Sequence, residues 1–89
     1  MRVVHKYLLP VQDEVKLEMP IGARVLHVGV QDNEQLCLWA LVNPKGETKT
    51  RSFRIAGTGH EVAGASPTHL GTALMHNGTF VLHVFEVPM

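Results

Sequence analysis

The strongest constraint on this chain is a two-residue alternation of apolar and polar side chains, cut at short intervals by turn residues. Val15-Lys16-Leu17-Glu18-Met19 shows it most clearly, apolar on one face and charged on the other. A period of two puts successive side chains on opposite faces of an extended strand, whereas a helical stripe needs 3.6. Val11, Val15 and Met19 also fit a helical face, but the alternation accounts for every residue of the run. The same reading predicts strands over 2–8, 15–19, 24–30, 35–42, 48–55, 69–76 and 79–87. Short strands at this spacing make an all-β fold: a small sandwich or barrel of six or seven antiparallel strands, with little or no helix. The chain of 89 residues is long enough for one such domain, 1–89, with one modest core.

The punctuation carries further expectations. Pro10 ends the first run because it offers no N–H to a ladder. Pro20-Ile21-Gly22-Ala23 reads as a turn, and Asp32-Asn33-Glu34 breaks the run 24–30. Within that run Leu26, Val28 and Val30 should share one face, and Val25, His27 and Gly29 the other. Residues 35–42, Gln-Leu-Cys-Leu-Trp-Ala-Leu-Val, are apolar on both faces, which predicts a central strand covered on both sides. Asn43-Pro44-Lys45-Gly46 suits a type I turn with Gly46 left-handed. The strands 24–30, 35–42 and 48–55 would then form a meander, with Phe53 and Ile55 on one face and Thr50, Ser52 and Arg54 on the other.

The segment 69–76 has two readings. Ser66 as N-cap and Pro67 as first helical residue would start a short helix ending at Asn77-Gly78. Alternatively, Asn77-Gly78 is a type I′ turn joining 69–76 to 79–87, with Met75 opposite Phe80, Thr72 opposite His83 and His69 opposite Glu86. The hairpin is preferred, because the helix would carry Gly71 and the β-branched Thr72 in its middle.

Charge and cysteine usage narrow the function classes. Eight Lys and Arg offset eight Asp and Glu. A zero net charge argues against duplex nucleic acid and acidic membrane as partners, and mildly favours a homo-oligomer. The single cysteine, Cys37, excludes an intrachain disulfide framework and reads as a buried strand residue. No apolar run suits a signal peptide or approaches the ~18–20 residues of a membrane span, so cytoplasmic residence is expected.

Little in the sequence suggests catalysis. Six histidines, His5, His27, His60, His69, His76 and His83, invite a metal reading, but neither an HxH pair nor HExxH occurs. No metal and no cofactor is therefore expected, the histidines being hydrogen-bonded across the sheet. No GxSxG elbow and no close pair of carboxylates in an apolar setting occurs, so the chain reads as no enzyme. The polar motif that stands out is Gly57-Thr58-Gly59-His60, leaving a strand just after Arg51 and Arg54. Two glycines can turn backbone N–H groups inward as an anion-cradling nest, with Thr58 and His60 as added donors. The candidate ligand-binding set is Arg54, Gly57, Thr58, Gly59, His60, His69 and Thr72. Trp39 reads as core, and Lys45, Lys49, Arg51 and Arg54 as a basic hairpin.

The ordered strings His5-Lys6-Tyr7, Leu9-Pro10, Met19-Pro20, Cys37-Leu38-Trp39-Ala40-Leu41-Val42, Gly57-Thr58-Gly59-His60, His69-Leu70-Gly71-Thr72 and His83-Val84-Phe85-Glu86 resemble a family of small stand-alone phage and prophage proteins of unknown function. The resemblance covers essentially the whole chain. It implies an all-β accessory protein acting in the bacterial cytoplasm, and supplies no activity. Three functions fit: a counter-defence binder sequestering a nucleotide-like anionic small molecule, an anti-CRISPR-like inhibitor docking a host defence protein through the 43–54 hairpin, or a minor virion or assembly component. The polar motifs between Gly57 and Thr72 favour the first.

Overall fold

In the computed structural model each of the seven predicted runs is a strand, and the order is β1 (Val3–Leu8), β2 (Glu14–Pro20), β3 (Arg24–Gln31), a single 3₁₀ turn (Asp32–Glu34), β4 (Gln35–Val42), β5 (Thr48–Gly57), β6 (Thr68–Met75) and β7 (Phe80–Val87). The structure describes residues 1–89, the Asn33 side chain excepted. All pairings are antiparallel. They build two sheets, one ordered β1-β4-β3 and the other β2-β5-β7-β6, in a sandwich-like arrangement. The barrel alternative is thereby set aside, and residues 68–75 are strand, so the helical reading of that segment falls.

One core fills the space between the sheets. Leu36, Leu38, Ala40 and Val42 of β4 meet Phe53 and Ile55 of β5, Val84 of β7 and Val15 and Met19 of β2. These are alternate positions along their strands, so the period of two in the sequence is the inner face of the sandwich. Leu9, just past the end of β1, is fully buried and donates its N–H to the Leu36 carbonyl at 2.9 Å.

The structure corrects the meander. β3 and β4 pair as expected, but β4 and β5 lie in different sheets. β4 already has β1 on one edge and β3 on the other, so neither edge remains for β5. The Asn43–Gly46 turn does form, closed by the Gly46 N–H on the Asn43 carbonyl at 3.0 Å, yet Gly46 is not left-handed. The turn instead hands the chain across the sandwich, where β5 pairs with β2. The basic hairpin over 43–54 therefore does not exist as such.

Two bulges change which side chains face inward. In β3 the register shifts between Val25 and His27. Val25 packs against the core and Leu26 is left exposed, opposite to strict alternation. In β6 the shift falls between His69 and Gly71, so His69 pairs with Phe85 rather than Glu86, while Met75–Phe80 and Thr72–His83 pair as predicted. Asn77 and Gly78 take the positive φ of a type I′ turn, 55° and 86°, and His76 joins them at 51°.

β4 is central, but only its inner face is covered by the other sheet. On its outer face Trp39 and Leu41 remain partly exposed beside the exposed Val4, Leu8 and Leu26. Cys37 is fully buried on that same face. The Lys6 ammonium donates to Gln31 Oε1 at 2.7 Å, across β4 between the positions of Trp39 and Gln35, where Cys37 lies.

Arg51 is turned into the sandwich. Its Nε and Nη2 donate to the Glu86 carboxylate at 2.6 and 2.7 Å, and its Nη1 donates to the Ala23 carbonyl at 2.6 Å. This fork ties β5, β7 and the β2–β3 turn together, and the bond to Glu86 raises the Arg51 pKa above its ordinary value. Nearby, burial pushes the Tyr7 phenol above its ordinary value, with the Arg51 charge opposing.

Candidate functional site

β5 ends by unpairing from β7 at Gly57, and the chain leaves through a β-turn closed by the His60 N–H on the Gly57 carbonyl at 3.0 Å. Gly59 sits third in that turn with φ +87°, a conformation that L side chains adopt rarely. The His60 ring folds back over Gly57, where an added methyl would stand 2.9 Å from Nδ1. The tight turn read from the sequence is present, and one of its N–H groups is spent inside the turn.

Gly57, Thr58 and His60 line a cleft of about 740 Å³ at this end of the sandwich. Ile55, Met75, Phe80 and Leu82 supply apolar walls, and Asp13 and His76 complete a polar rim. His76 is held from the other sheet. Its backbone N–H donates to both carboxylate oxygens of Glu34, at 3.2 and 3.1 Å. The cleft is thus framed by the β5 exit turn and the tip of the β6–β7 hairpin, which alternation along single strands could not bring together.

Arg54 belongs elsewhere. It projects from the outer face of the four-stranded sheet, with Nη1 2.9 Å from Glu14 Oε2 and 2.8 Å from Ser52 Oγ. With His60, Glu61 and Asp13 it lines a second cleft of about 510 Å³ under the 58–67 loop. Among the described residues no Lys or Arg lines the larger cleft.

His69 and Thr72 lie apart from both clefts, on the outer face of β6. There a chain of hydrogen bonds runs Thr58 Oγ1 to His83 Nε2 (2.8 Å), His83 Nδ1 to Thr72 Oγ1 (3.0 Å) and Thr72 Oγ1 to His69 Nε2 (3.0 Å). The predicted set therefore splits into a cleft group (Gly57, Thr58, His60), an outer-face group (His69, Thr72, with Thr58 shared), Arg54 in the second cleft, and Gly59, which shapes the turn but lines neither cleft. Sequence reasoning left out His83, although the hairpin register already set it opposite Thr72. It also left out the cleft walls and Glu34, whose contacts are non-local.

The sequence matches the family described as Domain of unknown function (DUF7352) over residues 1–89. The chain belongs to that family. The DUF7352 match spans the whole chain, as the resemblance implied, but nothing in it ties the family to phage. No curated protein and no solved structure matches the chain.

Proposed function

We propose that this DUF7352 domain is a non-catalytic binding module that sequesters a small, nucleotide-like molecule in the cleft at the β5 exit turn. The observation that supports this is the cleft itself. Its volume of about 740 Å³ falls within the ~300–1,000 Å³ common for small-molecule sites. Apolar walls with a few polar groups at the rim suit a flat heterocycle whose edge needs hydrogen bonds. The rim offers His60, His76 and the Thr58 hydroxyl rather than a cluster of cations, and Arg54 is engaged by Glu14. The cleft thus favours a base-like body with few negative charges over a polyphosphate. In a phage or prophage setting such a module would serve counter-defence by lowering the free concentration of a host signal. Calorimetric titration with cyclic and linear nucleotides tests this, with Phe80→Ala expected to weaken binding at least tenfold while circular dichroism stays native. No heat with any nucleotide, or equal affinity in both proteins, removes the reading.

A second reading has its own support. Val4, Leu8, Leu26, Trp39 and Leu41 leave an apolar patch on the outer face of the β1-β4-β3 sheet, a feature of protein-binding surfaces. An inhibitor of a host defence protein would use this face rather than residues 43–54. Loss of inhibition in Trp39→Lys, with nucleotide binding retained, would favour it.

A further inference from the structure

The bulge at Leu70 decides which face His69 occupies. In an unbroken strand His69 and Thr72, three apart, would point to opposite faces. The register shift between His69 and Gly71 brings both to the outer face, beside His83 on β7, and turns Leu70 toward the core. Gly71 makes the shift possible, because β3 approaches so closely that a methyl there would stand 2.8 Å from Val28 Cβ. Bulges of this kind re-aim side chains, often beside functional sites.

The result is a convergence of two imidazoles. His69 Nε2 and His83 Nδ1 each lie 3.0 Å from one atom, Thr72 Oγ1. Both rings are held from behind. His83 Nε2 is bonded to Thr58 Oγ1 at 2.8 Å, and the His69 ring packs on Phe85 with centroids 5.3 Å apart. A metal-binding histidine characteristically has its second nitrogen fixed by a hydrogen bond, which sets tautomer and ring orientation. Arg54 shares this face, opposite Phe85, but its guanidinium is turned to Glu14 and Ser52.

We propose that His69 and His83 form a two-imidazole site for a late first-row divalent ion, Cu(II) or Zn(II), with the Thr72 hydroxyl and water completing the shell. Neutral imidazole is a preferred ligand for both ions, and Cu(II) binds such donors most tightly. Metal–nitrogen bonds of about 2.0–2.1 Å require the two rings, now 6.5 Å apart, to close by about 1–2 Å. The exposed side chain of His69 makes that movement accessible. The two imidazoles lie outside the end cleft, and Thr58, which lines that cleft and holds His83 Nε2, is the one residue shared with it.

The untagged full chain is titrated with Cu(II), read by calorimetry and electron paramagnetic resonance, with Zn(II) as competitor. One ion per chain with the hyperfine pattern of two imidazole nitrogens is expected. His69→Gln and His83→Ala should each weaken binding at least tenfold, and Thr58→Val, which removes only the outer hydrogen bond, about tenfold. His60→Ala and His76→Ala, at the end cleft, should leave the affinity unchanged. His69→Gln alters an exposed side chain, so it keeps the test valid if His83→Ala fails to fold. Affinity equal in wild type and His69→Gln, a one-nitrogen spectrum, or loss in the His60 and His76 variants instead would overturn the assignment.

Discussion

Gly59 and Gly71 are both required, for different reasons that their neighbours reveal. Gly59 has φ +87° and nothing within 4 Å of an added methyl, so its constraint is the backbone alone. Gly71 has an ordinary φ, and its constraint is Val28 at 2.8 Å. Gly59→Ala should therefore cost about 1–2 kcal/mol in urea denaturation, whatever residue occupies position 28. Gly71→Ala should cost about 1–3 kcal/mol by overpacking, and much of that should vanish in a Val28→Gly background, which removes the Cβ it would meet. Additive costs for the Gly71–Val28 pair would contradict the close approach. Tyr7, the single tyrosine of the chain, allows a second measurement at this scale. Burial raises its pKa above 10.0 in the folded protein. The folded state then holds the phenolic proton more tightly than the unfolded chain, so this contribution to stability is complete below pH 10 and declines as pH rises through the folded value. Phenolate absorbance should show a midpoint above 10 in the native protein, returning to about 10 in urea. A native midpoint at or below 10 would mean that the Arg51 charge outweighs burial.

At the scale of elements, the sequence shows strands and their turns better than it shows irregularities within them. β4 is legible to the residue, because its apolar run is bounded by Gln35 and by the Asn43-Pro44 turn signal. The bulges in β3 and β6 were not, since a bulge is chosen by what packs on the strand, here Val28 against Gly71, and not by local propensity. That is why His69 was expected opposite Glu86 and is found opposite Phe85. The tip of the β6–β7 hairpin illustrates the same limit. Asn77-Gly78 announces the turn, but the Glu34 carboxylate that anchors the His76 N–H comes from 42 positions upstream. Both side chains are exposed, so the anchor should contribute only about 1 kcal/mol. Glu34→Ala should leave the global unfolding midpoint nearly unchanged while speeding amide exchange at His76. It should also weaken any ligand that uses the His76 side of the cleft. Unchanged exchange at His76 would mean that the positive-φ run 76–78 holds itself.

At the scale of the whole molecule, alternation revealed the two-faced strands but not which sheet each would join. A run apolar on both faces, such as 35–42, suggested a strand covered on both sides. The sandwich instead leaves the outer side of β4 without a covering sheet: Cys37 is buried there, but Trp39 and Leu41 stay partly exposed. Val4, Leu8 and Leu26 are each about half exposed there, at 53%, 51% and 45%. Lys6 and His27 flank Trp39 on that face, and the chain as a whole has no net charge to oppose approach of a copy. A two-fold contact of this face with itself would cover the patch, since a self-complementary surface needs only one apolar centre. We expect a dimer at micromolar concentration through the β1-β4-β3 sheet. Trp39→Lys or Leu8→Lys should convert it to a monomer by sedimentation velocity, without altering the circular dichroism spectrum, because neither residue contributes to the inter-sheet core. A wild-type monomer across that range would free this face for another protein and strengthen the inhibitor reading. A dimer indifferent to both substitutions would move the interface to an exposed strand edge, β2 or β6.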